Sequence, residues 1–102
     1  MFLLNAFSIQ MLNGERNLVL FEELTESRFL EMKEGAVSAI GHPDTARVLG
    51  VEPNRVSVKL HPGEKALVAQ LQGGRLPEGA TKLPDGFHFR YYLVEVVSNQ
   101  AD

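Results

Sequence analysis

The segment "KALVAQLQ", residues 65–72, is apolar on both of its alternating faces and constrains the fold more than any other stretch. Read with period two, it puts Ala66 and Val68 on one side and Leu67, Ala69 and Leu71 on the other. Such a strand must be covered above and below, so it belongs in the centre of a sheet, paired in a hairpin. "HPGE" before it has proline then glycine at its middle positions, a type II turn signature. "NRVSVKL" at 54–60 alternates Val56, Val58 and Leu60 against Ser57 and Lys59, as a half-buried strand does. "FHFRYYLVEVV" at 87–97 is expected as a long closing strand, being rich in aromatic and β-branched residues.

The first half of the chain alternates short elements. "FLLN" is a short strand, and "NAFSIQML" changes rhythm, with Asn5 and Ser8 as candidate caps and Ile9 and Leu12 on one helical face. After a turn at 13–17, "LVLFEEL" at 18–24 is a second strand. Thr25 caps a helix through about Lys33, with Leu24 and Phe29 spaced as a hydrophobic staple and Gly35 ending it. "AVSAI" is a third short strand or extended segment, ending at Gly41–His42. Pro43 suits the first turn of a helix, which makes His42 its N-cap residue. The expected fold is α+β: a single small domain, a mixed sheet of about five strands with two or three short helices.

A chain of 102 residues fits one domain, and at that size a second subunit would help to complete a site. The formal net charge of −3 argues against a general nucleic-acid coat, which needs a positive field. The absence of cysteine excludes disulfides and thiolate metal sites. The apolar run in "MFLLNAFS" is too short for a signal peptide or a membrane span, so a cytoplasmic protein is expected.

His42 is the sharpest candidate for chemistry. It either caps and packs at a strand–helix junction, or serves as a general acid or base, since histidine titrates near neutrality. A helix N-terminus disfavours imidazolium but attracts phosphate, and a bound polyanion would help to keep the ring charged. His42, His61 and His88 lack metal-ligand spacing, so no metal is expected. "GGRLPEGATKLPDG" at 73–86 is the longest irregular stretch. Its Arg75 and Glu78 are either a solvated pair or a guanidinium clamp on a phosphate inside a loop that closes. Arg55 is either a solvated strand-end residue or a phosphate contact. Asn5 and Ser8 are either caps or part of an anion nest.

Taken together, "FLLNAFSIQML", "AIGHPDT", "NRVSVKL" and "RLPEG" resemble, in order and spacing, one family across residues 2–79. This is the family of small viral and bacterial ring nucleases that oppose type III CRISPR immunity, first known as a conserved crenarchaeal virus protein. The resemblance implies a homodimer that binds cyclic tetra-adenylate across its interface and cleaves it, without metal or cofactor, to linear di-adenylates. In that chemistry a ribose 2′-hydroxyl attacks the adjacent phosphate, and the histidine of "IGH", here His42, protonates the departing 5′-oxygen. Arg75 and Glu78 match the motif that lines the reacting phosphate. Arg55, Asn5 and Ser8 match ligand contacts, and Gly41 and Gln70 complete the expected binding set.

A self-supplied nucleophile leaves the protein to orient it, stabilise charge and protonate the leaving group, which a short chain without cysteine can do. A two-fold dimer would place two His42 residues at opposed phosphates of a cyclic ligand. Asp44 stands where several relatives carry serine, and its charge opposes a phosphate at close range. Two other classes compete: a non-catalytic binder that sequesters the cyclic nucleotide, and a DNA-binding viral protein. The net charge and the lack of a basic stretch weigh against the latter.

Overall fold

The computed structural model describes residues 1–14 and 16–98. The chain runs β1 (Phe2–Leu4), a 3-10 turn (Ile9–Met11), β2 (Leu18–Leu24), α1 (Glu26–Lys33), β3 (Val37–Ser38), α2 (Pro43–Val48), β4 (Lys65–Gln72) and β5 (His88–Ser98). Five strands form one mixed sheet in the order β2-β5-β4-β1-β3. The doubly apolar β4 lies at its centre, parallel to β1 and antiparallel to β5 along its full length. β1 in turn runs parallel to β3, and β2 is the antiparallel partner of β5 at the far edge. The architecture is the expected α+β domain.

Each face of β4 feeds a separate core. Leu67 and Ala69 pack with Leu3, Leu24, Phe29, Ile40, Ala46 and Leu49 beneath the two helices. Ala66 and Val68 pack on the opposite face with Leu4, Val58, Leu60, Val94 and Val96. The α1 start follows the sequence rules closely: Thr25 Oγ1 accepts from the Arg28 amide at 3.2 Å, and Leu24 and Phe29 are both buried in one cluster. Lys33 Nζ crosses to the Leu49 carbonyl at 2.8 Å, so a cation at the end of α1 also satisfies the last turn of α2.

Two expectations are corrected. Residues 54–60 are not a strand: their only ladder contact among the described residues is an isolated parallel bridge between Leu12 and Leu60. Val58 and Leu60 are buried while Ser57 and Lys59 are exposed, because the extended segment lies flat across the sheet face. Alternation reports which side of an extended chain is covered, and a covering sheet face produces it as readily as a pairing partner does. The hairpin partner of β4 is therefore β5, reached through the 73–86 loop; "HPGE" forms its turn, with the Glu64 amide on the His61 carbonyl at 2.9 Å, without joining two paired strands. The second correction concerns 5–12, where the helical rhythm yields only the 3-10 turn. Ile9 is 80% exposed instead of packing with Leu12, because the chain is drawn out along the 57–60 segment by Leu60 N–H to Met11 O (2.7 Å) and Lys59 Nζ to Gln10 O (2.6 Å).

Candidate functional site

Three neighbouring strands, β4, β1 and β3, run in the same direction, so their carboxyl ends lie at one end of the sheet. The segments that leave them are Gly73–Gly79, Asn5–Ser8 and Gly41–His42. Sheet topology alone thus gathers the singled-out polar residues at the place where open sheets with parallel strands bind ligands. β4 also runs past β1: Leu4 pairs with Val68, whereas Gln70 and Gln72 pair only with Arg90 and His88 of β5. That overhang leaves Gln70 beside the chain leaving β1.

His42 begins α2 in extended conformation (φ −85°, ψ 112°), with Pro43 at the first helical position. Its carbonyl accepts the Ala46 amide at 3.0 Å, but its side chain makes no capping hydrogen bond. The imidazole therefore satisfies none of the free backbone N–H groups of α2. Its Nδ1 lies 3.4 Å from Thr45 Oγ1, whose residue is buried, and the ring itself is exposed. A protonated ring would donate from Nδ1 to that hydroxyl and keep Nε2–H for another acceptor.

Asn54 explains why Arg55 arrives beside this histidine. Its amide nitrogen donates to the Ile40 carbonyl and its side chain to the Ser38 carbonyl, both at 2.8 Å, which stitches residue 54 to the exit of β3. Arg55 then lies across Gly41, its Nη2 3.5 Å from the Gly41 carbonyl. A Cβ on residue 41 would stand 3.2 Å from Arg55 Cβ, Cγ and Nε, so glycine makes room for the arginine.

The 73–86 loop reaches α2 through a turn. The Ala80 amide donates to the Pro77 carbonyl at 3.1 Å, with Glu78 and Gly79 at the corners and Gly79 at φ +79°, the conformation of a type II turn. Buried Leu76 anchors the approach. Asp44 Oδ1 accepts from the Gly79 amide at 3.2 Å and from Arg47 Nη1 at 2.7 Å, and the same Nη1 reaches the Ala80 carbonyl at 3.2 Å. The Arg47 hydrogen bond holds the Asp44 carboxyl below its ordinary range; burial opposes this, and the Gly79 N–H assists. The negative charge of Asp44 is thus already matched within the protein.

Arg75 and Glu78 are exposed, and no hydrogen bond ties either side chain to His42. It is the backbone on the far side of Glu78 that is tied to α2. Ser8 Oγ accepts from the Gln10 amide at 3.2 Å and caps the 3-10 turn, while Asn5 stands exposed. Gln70 lines a separate cavity of about 400 Å³ on the sheet face, with Ala6, Phe7, Phe21 and Tyr92. Phe7 meets Phe21 edge-on at 5.4 Å, and Arg90 lies 5.5 Å over the Tyr92 ring while making a two-pronged pair with Glu23 at 3.0 and 2.9 Å. Sequence reasoning missed this aromatic floor. The signal was present in the alternation of Phe21 with Glu23 and of Arg90 with Tyr92, which places each pair on one face.

Among the described residues no group of three histidines or carboxylates could hold a metal ion, and no helix is long and apolar enough to cross a membrane. Fold and site together define a small one-sheet α+β protein whose polar residues gather at the carboxyl ends of parallel strands. The chain belongs to the STIV B116-like family, whose model matches residues 1–87, and so to a family of small proteins named for a virus protein. Among solved structures it is similar to B116 of Sulfolobus turreted icosahedral virus, with 31% identity and a TM-score of 0.76 over 92% of this chain and 97% of that one. No curated protein sequence matches it.

Proposed function

We propose that the protein is a metal-independent ring nuclease that opens cyclic tetra-adenylate to linear di-adenylates and thereby silences type III CRISPR signalling. One observation carries the reading: His42, whose ring is spared from capping, shares the strand-end edge with Arg55, with the segment Asn5–Ser8 and with the turn bearing Glu78. Membership of a family named for a virus protein agrees with it.

In the proposed reaction a ribose 2′-hydroxyl attacks the adjacent phosphorus and its proton passes to solvent. The P–O5′ bond breaks, His42 gives its proton to the departing 5′-oxygen, and a 2′,3′-cyclic phosphate remains on the other side of the cut. Arg75 supplies charge for the phosphate oxygens, and Glu78 lines the same phosphate from the corner of its turn. Asn5 and Arg55 contact the ligand at the strand ends, Gln70 contacts the part of it that reaches the sheet-face cavity, Gly41 clears the way for Arg55, and Ser8 shapes the segment between β1 and that cavity. A homodimer would present two such sets to a two-fold cyclic ligand, so that two cuts give two equal halves.

Incubation with cyclic tetra-adenylate in the presence of a chelator, with chromatographic separation of products, tests this reading. The parent should yield linear di-adenylates, and His42→Ala should lose turnover while retaining binding. Intact ligand with both proteins refutes the enzyme and leaves a binder. Equal cleavage by both removes His42 from the acid role.

A further inference from the structure

Asp44 and Arg47 hold one amide and one carbonyl of the turn at once. One carboxylate oxygen takes the Gly79 N–H, one guanidinium nitrogen takes the Ala80 carbonyl, and the two side chains bond to each other at 2.7 Å. Both residues stand on the short helix that His42 begins, two and five positions after it. The polarity of the clamp matches the turn: an acceptor meets the amide and a donor meets the carbonyl. Glu78 sits between the Pro77 carbonyl, which closes the turn, and the clamped Gly79 amide, so its backbone is bounded on both sides.

We infer that Asp44 and Arg47 are positioning residues: together they clamp the Glu78–Ala80 turn onto α2 and so fix the backbone of Glu78 relative to the helix that His42 begins. For its catalytic consequence this rests on the nuclease reading; for its structural consequence it does not. The clamp also accounts for an aspartate close to a proposed phosphate site. Its charge is balanced by Arg47, and its Oδ1 is occupied by Arg47 and the loop amide.

The test compares Asp44→Ala, Asp44→Asn, Arg47→Ala and the exchanged pair Asp44→Arg/Arg47→Asp with the parent, in solvent-exchange NMR and in cyclic tetra-adenylate cleavage. Asp44→Ala should speed exchange of the Gly79 amide about tenfold. The Ala46 and Leu49 amides, bonded to the His42 and Thr45 carbonyls, should keep parent rates and so report that α2 is intact. Asp44→Asn, which keeps an acceptor oxygen, should restore part of the Gly79 protection. The exchanged pair should not, because it keeps the ion pair but turns a donor toward the amide.

In cleavage, Asp44→Ala and Arg47→Ala should lower kcat about ten- to a hundredfold, as expected when a reacting group is misplaced by about an ångström, with KM little changed. Unchanged Gly79 exchange in Asp44→Ala overturns the clamp. Faster exchange with parent kcat overturns its role in positioning. A parent that leaves the ligand intact refutes the nuclease reading instead, and the exchange comparison then decides the clamp alone.

Discussion

Gly73→Ala and Gly74→Ala make a matched pair of perturbations at the root of the 73–86 loop. Both glycines have left-handed backbone, φ +113° and +131°, so alanine costs conformational energy at either position, of order 1–3 kcal/mol. Their surroundings differ. A Cβ at residue 73 would stand 3.0 Å from the Gly86 carbonyl oxygen and the Phe87 Cα, and 3.1 Å from Phe87 Cγ. At residue 74 the nearest atom is Phe87 Cζ at 3.6 Å, an ordinary contact. The obstruction at residue 73 is backbone immediately before β5 and cannot swing away like the end of a side chain. Overpacking of this kind costs about 1–3 kcal/mol. Gly73→Ala should therefore be less stable than Gly74→Ala by about 2 kcal/mol, which is roughly 8–16 °C in Tm for a domain of this size. Gly35→Ala, with open space and no left-handed backbone, is the control and should stay within about 0.5 kcal/mol of the parent. Urea and thermal unfolding measure all three. Equal stability of the residue 73 and 74 variants would refute the reasoning, because it would mean that the backbone of Gly86–Phe87 yields to the added methyl.

Other perturbations read other parts of the molecule. Phe29→Ala empties a buried site where the ring stacks on Tyr91 at 4.3 Å, and should cost about 3–5 kcal/mol in urea unfolding; a loss near zero would mean that the helix layer is not packed as described. Gly41→Ala should push Arg55 off the backbone and weaken binding of cyclic tetra-adenylate to His42→Ala protein, measured by calorimetry, while unchanged affinity would remove Arg55 from the ligand contacts. Glu23 is held below its ordinary value of 4.5 by its hydrogen bond to Arg90, so its contribution to stability is complete above that value and disappears as pH falls through the lower folded one. Glu23→Gln should thus be less stable than the parent at pH 7 and converge with it in acid; a gap independent of pH would assign the effect to something other than ionisation.

What the sequence made legible was mostly local. Thr25, Leu24 and Phe29 mark the start of α1 because a cap and a staple are contained within six consecutive residues. His42 and Pro43 locate the start of α2 for the same reason. The segment 54–60 mimics a paired strand in sequence because burial on alternate sides is common to a paired strand and to a chain pressed on a sheet face. Asp44 was read as a charge opposing phosphate, since its partners are Arg47 one helical turn on and Gly79 from another segment. The first partner was visible at spacing three; the second depends on how the 73–86 loop folds back. The aromatic floor of Phe7, Phe21 and Tyr92 needs three separate segments to be brought together, and no single window holds it.

The strand order also governs when the protein can form during synthesis. β1 reaches its partner at the sheet centre only when Ala66–Val68 have been made, and among the described residues β2 pairs only with β5, from Leu24↔Tyr91 to Leu18↔Ser98. A ribosome adding about 5–20 residues per second releases both N-terminal strands seconds before either has its main partner. Until β5 emerges, Leu18–Leu24 is an unpaired apolar strand, open to chaperones and to neighbouring nascent chains. Folding is thus dominated by distant pairings, which places it toward the slower, millisecond-to-second range for domains of this length. Of the five described strands β5 is made last, and it is the one that joins β2 to β4 and so to the rest of the sheet.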